Sequence, residues 1–200
     1  MKLHPLIKNV LYNFDQIEER TKELAKEISK YYDEQEDIQD NNVLLVGILK
    51  GCVPFMGVFL KYFDYNCETH YMVVSSYLGS TKSSGEPKIL LDLNVSIKDK
   101  DILIVEDIID SGITLKYVKE YLFFKGAKTV KIISFLDKKE GRKVELKPDW
   151  YCFDVKNEFV IGFGFDINEK LRNLPYVGVC DIEKLETWDW TLKKEDWDYS

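Results

Sequence analysis

Continuous apolar runs alternate along the chain with segments that carry an apolar stripe at helical spacing. The run Val43–Leu49 is typical of a strand that is buried on both faces of a parallel sheet. We expect further strands at 71–77, 88–93, 102–105, 130–136, 151–155, 159–165 and 177–180. Strands that alternate with helices predict an α/β fold, in which helices flank a central, mostly parallel sheet.

The same pattern predicts three helices. The first follows Asp15, a good N-cap residue, and Glu18 three positions later completes a capping box. Pro54 suits the first turn of the second helix, and Gly126 suits the C-terminal cap of the third. The apolar stripes comprise Ile17, Leu24, Ala25, Ile28 and Tyr32, then Phe55, Met56, Phe59, Leu60 and Phe63, then Leu115, Val118 and Leu122.

Composition and charge narrow the class of protein. The chain has 200 residues, 45% hydrophobic and 32% charged, which is enough for one domain with a substantial core. The formal net charge of −7 argues against a general affinity for nucleic acid or an anionic membrane, and leaves room for a local phosphate-binding patch. No apolar run approaches the ~20 residues of a membrane span and the first residues lack an apolar signal core, so we expect a cytoplasmic protein.

Cysteines and histidines do not predict a metal or redox site. His4 and His70 are too isolated in the sequence to suggest metal ligands or a His-based catalytic triad. The cysteines form no CxxC pair and lie in apolar sequence. We therefore expect free, buried thiols in a reducing compartment at Cys52, Cys67, Cys152 and Cys180.

The densest group of polar residues follows the predicted strand 102–105. Glu106 and Asp107 are adjacent carboxylates, and Asp110 precedes the sequence Ser-Gly-Ile-Thr at 111–114, which opens a helix. Backbone N–H groups at a helix N-terminus, hydroxyls and a glycine that permits close approach can together cradle a phosphate. The segment matches neither the nucleotide P-loop nor GxGxxG, so from the residues alone it is either such a cradle or an acidic loop with a capping hydroxyl. Carboxylates beside a cradle suit a hydroxylated sugar or a bridging metal ion.

The segment Val105-Glu-Asp-Ile-Ile-Asp-Ser-Gly-Ile-Thr-Leu115 closely resembles the phosphoribosyl-diphosphate signature of the type I phosphoribosyltransferases. More narrowly, it resembles that of the hypoxanthine-guanine phosphoribosyltransferases. Further matches run in order between about residues 14 and 182, at 49–51, 76–77, 136–139, 147–149 and 159–166, with Arg172 after the last. The acidic signature alone fits several phosphoribosyltransferases, and its combination with Lys138 and 159–166 favours the purine enzymes.

The resemblance implies a purine salvage enzyme that depends on Mg²⁺. Hypoxanthine or guanine would react with 5-phosphoribosyl 1-diphosphate to give IMP or GMP and pyrophosphate. Glu106 and Asp107 would hold the ribose hydroxyls, directly or through Mg²⁺, and Asp110 would be the general base that accepts the ring proton of the purine. The 5′-phosphate would be cradled by Asp110, Ser111, Gly112, Ile113 and Thr114.

The resemblance also implies a pyrophosphate site. Lys50 and Gly51 would bind pyrophosphate through backbone groups, and the isomer of the peptide between residues 49 and 50 is left open. Arg172 would bind pyrophosphate oxygens, as a guanidinium fork can. The magnesium ligands would be Glu106, Asp107 and Asp166.

The implied purine site lies later in the chain. Lys138 would donate to the 6-oxo group of the base, Phe159 would stack on it, and the Val160 backbone would contact its edge, with Asp166 nearby. Ser76 and Tyr77, which begin the polar stretch 76–86, would form a mobile loop that closes over the site and excludes water.

Several of these residues also have an ordinary structural interpretation. Asp110 could cap a helix, and Lys50 could be an exposed residue at the end of a strand. Asp166 and Arg172 could form a surface salt bridge, and Phe159 could belong to the core. The residues by themselves leave these alternatives open.

The same resemblance implies a domain organisation and a set of partners. We expect one phosphoribosyltransferase domain at 1–186, with a small hood subdomain built from the N-terminal region and about 155–182. The extension 187–200 contains three of the four tryptophans, and we expect it to pack on the domain or on another subunit. The resemblance implies small-molecule substrates, no nucleic-acid or membrane partner, and a homodimer or homotetramer.

The sequence leaves two other functions open. A phosphoribosyltransferase-like regulator that binds nucleotides and RNA would need a basic face, and the net charge of −7 argues against one. A phosphoribosyltransferase for another base, such as a pyrimidine, is disfavoured by Lys138 and the segment 159–166. The order of preference among hypoxanthine, guanine and xanthine is left open.

Overall fold

The computed structural model describes residues 3–35, 43–75 and 87–196. Within these ranges the chain forms strands and α-helices, and two short 3₁₀ turns lie at Lys139–Gly141 and Lys194–Asp196. In chain order the elements are β1 (Ile7–Tyr12), α1 (Phe14–Asp33), β2 (Val43–Leu49), α2 (Val53–Tyr62), β3 (Cys67–Ser75), β4 (Lys88–Leu91), β5 (Asp101–Ile109), α3 (Ile113–Phe124), β6 (Thr129–Asp137), β7 (Trp150–Asp154), β8 (Val160–Ile161), β9 (Val177–Cys180) and α4 (Ile182–Glu186).

Six strands form the main sheet, in the order β4-β3-β2-β5-β6-β7. The strands β3, β2, β5, β6 and β7 run parallel to their neighbours, and β4 pairs antiparallel at one edge. The predicted α/β fold with a mostly parallel central sheet is therefore confirmed. This order places the carboxyl ends of β2, β5 and β6 side by side, where parallel sheets commonly bind their ligands.

The apolar runs are continuous because alternate residues of one strand enter two different cores. In β2, Val43 and Leu45 pack in the core that contains the apolar stripes of α1 and α2. Leu44, Val46 and Ile48 pack in the core that contains the stripe of α3. With both faces of the sheet covered by helices, the strand ends are the natural place for polar side chains.

A small antiparallel sheet in the order β1-β9-β8 forms the hood. Its register runs from Ile7 opposite Cys180 to Tyr12 opposite Val177. Tyr12 also ties the hood to the main sheet. Its ring stacks on Phe153 with a centroid distance of 4.0 Å, and its hydroxyl donates to the carbonyl of Asp154 at 2.7 Å.

The structure corrects the prediction for the N-terminal region. The N-cap of α1 is Asn13 rather than Asp15, because the Asn13 side chain accepts from the Gln16 N–H at 3.0 Å. Gln16 completes the capping box by accepting from the Asn13 N–H at 3.0 Å, so Glu18 is not part of it. The hydrophobic pattern also predicts no strand where β1 lies, since most β1 residues are only half-buried or exposed.

Several strand boundaries also differ from the prediction. The third strand begins at Cys67 rather than at residue 71, because most of its side chains are half-buried or exposed and give no apolar run. The predicted strand 159–165 shrinks to Val160–Ile161, since Gly162 and Gly164 turn the chain with φ of +91° and +104°. The fifth strand extends to Ile109, so Glu106 and Asp107 lie on the strand rather than after it.

The described part of the C-terminal extension packs on the hood. The Trp188 ring lies 5.3 Å from the His4 ring and 6.4 Å, edge to face, from the Trp190 ring. This agrees with the first of the two predicted locations, and Trp197 lies outside the described residues. All four cysteines are free, and Cys52, Cys152 and Cys180 are buried as predicted, whereas Cys67 is only half-buried. In the part of the chain that the structure describes, we find no helix long and apolar enough to cross a membrane.

Candidate active site

A cavity of about 550 Å³ opens at the carboxyl ends of β2 and β5. It brings together the residues predicted to bind the sugar, the 5′-phosphate and the pyrophosphate, apart from Ile113. It is lined by Ile48, Leu49, Lys50, Gly51, Val74, Glu106, Asp107, Ile108, Ile109, Asp110, Ser111, Gly112, Thr114, Leu115, Gly141, Lys143 and Arg172.

The N-terminus of α3 forms one side of this cavity. Gly112 is the N-cap residue with φ of +77°, and it offers no side chain to the free N–H groups of the first turn. The Ile113 N–H reaches only Ser111 Oγ, at 3.4 Å. Asp110 is therefore not the helix cap, and the first turn retains N–H groups and a positive dipole end that favour an anion.

Glu106 and Asp107 are half-buried in the cavity wall. Burial raises the pKa of Glu106 well above its ordinary value, and the neighbouring charge of Asp107 adds to this rise. Burial also raises the pKa of Asp107, although its hydrogen bonds and the charge of Arg172 oppose the change. One of these hydrogen bonds comes from the Ile108 N–H, at 2.7 Å. A ligand that brings a cation or hydroxyl donors would therefore favour the charged form of the pair.

The loop after β2 is packed too closely to accept larger residues. Its Leu49–Lys50 peptide is cis. A Cβ atom on Gly51 would lie 1.5 Å from Asp107 Oδ2, and one on Gly164 would lie 2.1 Å from the Gly51 carbonyl oxygen. The Gly51 backbone is thus held between a carboxylate of β5 and the chain that follows β8.

Two cationic side chains, Lys50 and Arg172, line the cavity and share one carboxylate. Glu169 Oε2 lies 3.1 Å from Lys50 Nζ and 3.2 Å from Arg172 Nη2, and these bonds lower the pKa of Glu169. Arg172 Nη2 also lies 2.8 Å from Asp166 Oδ1, and Nη1 donates to the Gly164 carbonyl at 2.7 Å. Arg172 Nε is buried and lacks a hydrogen-bond partner among the described residues. Arg172 thus makes the salt bridge that the sequence left open, and it also lines the cavity.

Asp110 and Lys138 meet at the edge of the cavity. Asp110 follows β5 and Lys138 follows β6, and Lys138 Nζ lies 3.4 Å from Asp110 Oδ2. The Asp110 side chain is 54% exposed, whereas that of Lys138 is only 13% exposed. The Lys138 N–H donates to the Ile109 carbonyl at 2.9 Å, which holds the two strand ends together.

Further residues around Asp110 escaped the sequence analysis. Arg142 Nη1 donates to the Asp110 carbonyl at 2.7 Å, and Arg142 also forms an ion pair with the buried Asp137. A Cβ atom on Gly141 would lie 1.7 Å from Asp110 Oδ1, and Lys143 lines the cavity. In the sequence these residues form a charged stretch that is typical of a solvated loop. The available signal was the position of that stretch, directly after an apolar strand of the parallel sheet.

Not every predicted site residue lies at the cavity. Phe159 and Val160 belong to the hood side and do not line it. Phe159 is 48% exposed, which argues against a core role, whereas Val160 is buried in the core beside α1 and α2. Ser76 and Tyr77 lie outside the described residues.

The predicted magnesium ligands do not form a complete cage. Among the described residues, no group of three or more His, Cys, Asp or Glu side chains is placed to hold a metal ion. Asp166 is engaged by Arg172 and by the Glu169 N–H at 2.9 Å, whereas Glu106 and Asp107 stand at the cavity. Mg²⁺ commonly takes one or two carboxylates and draws its other ligands from water and substrate phosphates. The donors present therefore fit an ion that is held jointly with a diphosphate.

Comparisons with known proteins show which sequences and structures the chain is similar to. Residues 11–168 match the phosphoribosyl transferase domain family. The chain is 52% identical to the hypoxanthine-guanine phosphoribosyltransferase of Lactococcus lactis subsp. lactis over 181 residues. The matched region covers 90% of this chain and 95% of that protein. The chain is 47% identical over 177 residues to the hypoxanthine-guanine phosphoribosyltransferase of Streptococcus pyogenes serotype M3, covering 88% and 95%. A solved hypoxanthine phosphoribosyltransferase from Staphylococcus aureus is similar with a TM-score of 0.81 and 38% identity, covering 89% of this chain and 94% of that one.

Proposed function

Since the chain belongs to the hypoxanthine-guanine phosphoribosyltransferase family, we propose that it is a purine salvage enzyme. It transfers the phosphoribosyl group of 5-phosphoribosyl 1-diphosphate to hypoxanthine or guanine. The products are IMP or GMP and pyrophosphate. The residue roles below are part of this proposal.

One observation carries the assignment of roles. A pair of adjacent carboxylates, Glu106 and Asp107, shares a cavity with the uncapped N-terminus of α3. A helix N-terminus favours the 5′-phosphate, and the carboxylates suit the ribose hydroxyls. We therefore assign the ribose 5-phosphate to this half of the cavity.

The other half suits the leaving group. As the glycosyl bond to diphosphate breaks, positive charge develops on the ribose and negative charge on the diphosphate. Glu106 and Asp107 would stabilise the first charge, and Lys50 and Arg172 the second. The buried Arg172 Nε, which has no hydrogen-bond partner among the described residues, supports this role because a diphosphate oxygen would satisfy it.

Magnesium would be held by Glu106 and Asp107 together with the substrate. When bound, it would supply positive charge close to the diphosphate oxygens. The raised pKa values of the two carboxyls support this assignment, since a cation favours their charged forms. The residues of the chain would otherwise act by orienting the two substrates.

The purine would lie beyond Asp110, toward the hood. Asp110 would accept the ring proton of the base, and Lys138 would donate to its 6-oxo group. Their separation of 3.4 Å supports a shared position at one ligand. The half-exposed ring of Phe159 would stack on the base, beside the Val160 backbone.

We infer that the chain forms a homodimer or homotetramer. Phe124 on α3 is 88% exposed, and Leu90 and Leu91 on β4 are 59% and 51% exposed. Large exposed apolar side chains of this kind commonly lie at protein–protein contacts. Light scattering after gel filtration would measure the state, and a monomer at micromolar concentration would contradict it.

The proposed function is tested by a panel of bases assayed with phosphoribosyl diphosphate and Mg²⁺, following release of pyrophosphate. We expect turnover with hypoxanthine and guanine, and none above background with adenine or uracil. Asp110→Asn is the matched control, because contaminating activity would survive this substitution. Turnover with uracil alone would contradict the purine assignment, and absence of turnover with every base would contradict the proposed function.

A further inference from the structure

The C-terminal segment 187–196 has no role in the function proposed above, yet it lies against the hood. Trp188 and Trp190 pack with the buried hood residues Leu6, Ile7, Ile161, Ile167, Tyr176 and Cys180. The segment is also internally ordered, because Asp189 accepts hydrogen bonds from the Thr191 N–H at 2.9 Å and the Thr191 hydroxyl at 2.7 Å. The extension is thus a packed element in its described part.

The segment lies beside a turn with a demanding backbone. In the turn 166–172, Asn168, Glu169 and Leu171 have φ of +50°, +64° and +70°. Residues other than glycine rarely adopt this left-handed backbone region. The Leu171 side chain has no polar group that could offset the strain by a local hydrogen bond. Such conformations persist only where surrounding contacts determine them.

The turn carries Arg172, which is assigned to pyrophosphate. Arg172 and Asp166 stand at its ends, and Glu169 between them contacts both Arg172 and Lys50. The polar face of the turn is fixed by these ion pairs. Two backbone hydrogen bonds also close the turn, from the Ile167 N–H to the Lys170 carbonyl at 3.1 Å and from the Lys170 N–H to the Ile167 carbonyl at 2.9 Å. A ligand that engaged Arg172 and Lys50 would compete with these ion pairs, so the turn needs support from its other face.

That other face meets the tryptophans. Ile167 and Leu171 belong to the same hydrophobic cluster as Trp188 and Trp190. Lys170 Nζ lies 4.7 Å from the centre of the Trp190 ring, within the range of a cation–π contact. Both apolar packing and a charged contact therefore join the extension to the turn.

We propose that Trp190 is a positioning residue, and that the C-terminal segment holds the turn 166–172 so that Arg172 is placed for pyrophosphate. The effect is on the diphosphate half of the site and not on the purine half. This inference rests on the proposed function for the role of Arg172.

The test is calorimetric binding of pyrophosphate with Mg²⁺ to the full chain, together with KM values for phosphoribosyl diphosphate and hypoxanthine. An exposed cation–π contact corresponds to a factor of about two to five, and we expect Trp190→Leu to weaken pyrophosphate binding by about five-fold. The KM for phosphoribosyl diphosphate should rise in parallel, and that for hypoxanthine should change by less than about two-fold. Trp190→Phe keeps an aromatic face and should restore most of the binding.

Two further variants separate positioning from stability. Trp150→Leu removes a half-buried tryptophan from β7, where it packs edge-on against Tyr31 at 5.0 Å, remote from the turn. It should lower thermal stability and leave pyrophosphate binding unchanged. Lys170→Met removes only an exposed ammonium, so it tests the contact even if Trp190→Leu fails to fold.

The outcomes distinguish the two proposals. Wild-type binding of pyrophosphate by both Trp190→Leu and Lys170→Met would overturn the positioning role and leave the proposed function intact. Equal rises in both KM values would also overturn it, because the effect would then be general. If the wild type showed no transferase activity, the proposed function would fail, and the binding measurement would still decide whether the extension supports the anion site.

Discussion

The two walls of the cavity rest on different kinds of structure. The sheet wall, residues 49–51 and 106–115 with Lys138 at its edge, stands at the ends of β2, β5 and β6, whose inner residues are buried on both faces of the main sheet. The hood wall is residues 159–172, of which Arg172 lines the cavity. It has a strand of only two residues, followed by a chain with many positive φ values. Both walls contact hydrophobic cores, the hood wall through Val160, Phe163 and Phe165. The hood wall depends in addition on close backbone contacts, ion pairs and the C-terminal extension.

The two walls should therefore respond differently to substitution. Side chains at strand ends project from a scaffold that does not depend on them, so substitutions in the sheet wall should change chemistry with little loss of stability. The hood wall consists mainly of turns, whose positive φ values depend on the contacts around them. A substitution there should alter the fold and the binding of diphosphate together.

The largest expected effect concerns the choice of base. Lys138 has only hydrogen-bond donors on its ammonium, so it suits a 6-oxo group and would face another donor in adenine. A site built around such a bond can reject the mismatched base by about 10⁴–10⁵-fold. We expect Lys138→Ala to lower kcat/KM for hypoxanthine and to narrow the gap to adenine, while the midpoint of unfolding in urea changes little.

The neighbouring Lys139→Ala is the matched control. Lys139 pairs with Asp154 on the surface, and its side chain is 58% exposed. Its removal should leave the ratio of kcat/KM for hypoxanthine and adenine unchanged. An unaltered ratio in Lys138→Ala as well would show that Lys138 does not discriminate between bases.

The next effect concerns proton transfer. Asp110→Asn preserves shape and removes the proton acceptor, and loss of a general base commonly lowers the rate by about 10²–10⁴-fold. Turnover should fall in this range while calorimetry shows retained binding of phosphoribosyl diphosphate. Turnover close to that of the wild type would remove Asp110 from the catalytic role.

An intermediate effect is expected where the two walls touch. Gly164→Ala would place a Cβ atom 2.1 Å from the Gly51 carbonyl oxygen, at a residue with φ of +104°. The backbone conformation alone should lower the free energy of unfolding by about 1–3 kcal/mol, and the displaced Gly51 should raise the KM for phosphoribosyl diphosphate. Denaturation in urea and steady-state kinetics measure the two effects.

Gly57→Ala in α2 supplies the control. A Cβ atom there meets nothing within 4 Å, so alanine should stabilise the helix by about 0.5–1 kcal/mol and leave the KM unchanged. Equal stability of Gly164→Ala and the wild type would contradict the close contact between the walls. If Lys138→Ala lowered the free energy of unfolding as much as Gly164→Ala, the two walls would not differ in their effect on stability.

The smallest effect is a pH dependence within the sheet wall. Glu106 has a raised pKa in the folded protein, mainly through burial. Below the ordinary Glu range both states hold the proton. As pH rises through that range the unfolded chain releases it first, so the wild type loses stability relative to Glu106→Gln. The variant should therefore gain in Tm over the wild type between acid and neutral pH, at the expense of activity.

Glu120→Gln, at a carboxylate on α3 that is 67% exposed, provides the control variant. Because exposed ion pairs contribute little to stability, this substitution should change Tm little. A Tm difference between Glu106→Gln and the wild type that stayed constant with pH would contradict the raised pKa of Glu106.

The sheet wall could be predicted from the sequence because its signals are local and strong. The apolar run Val43–Leu49 is continuous because its alternate residues pack in two different cores. The acidic signature follows a second continuous apolar run, at 102–105. A short polar segment after a buried strand of a parallel sheet indicates a site even without knowledge of the neighbouring strands. The resemblance to a family then supplied roles for its residues.

The hood and the loop after β6 were harder to predict for physical reasons. The six residues of β1 are mostly half-buried or exposed, so their alternation is too weak to mark a strand. Glu169 and Arg142 act through partners that are distant in sequence, namely Lys50 and Asp110. Nothing in their local sequence separates them from residues of a solvated surface.

The hood sheet also has a consequence for biosynthesis. Its edge strand β1 leaves the ribosome before every strand of the main sheet, and its partner β9 leaves after them, with Ile7 opposite Cys180. All strands of the main sheet lie between these two, so domains that fold during synthesis would assemble that sheet while β1 still waits for its partner. A nascent chain can thus complete the proposed ribose-phosphate half of its site before Arg172 is placed beside it, so we expect activity only after β9 is made.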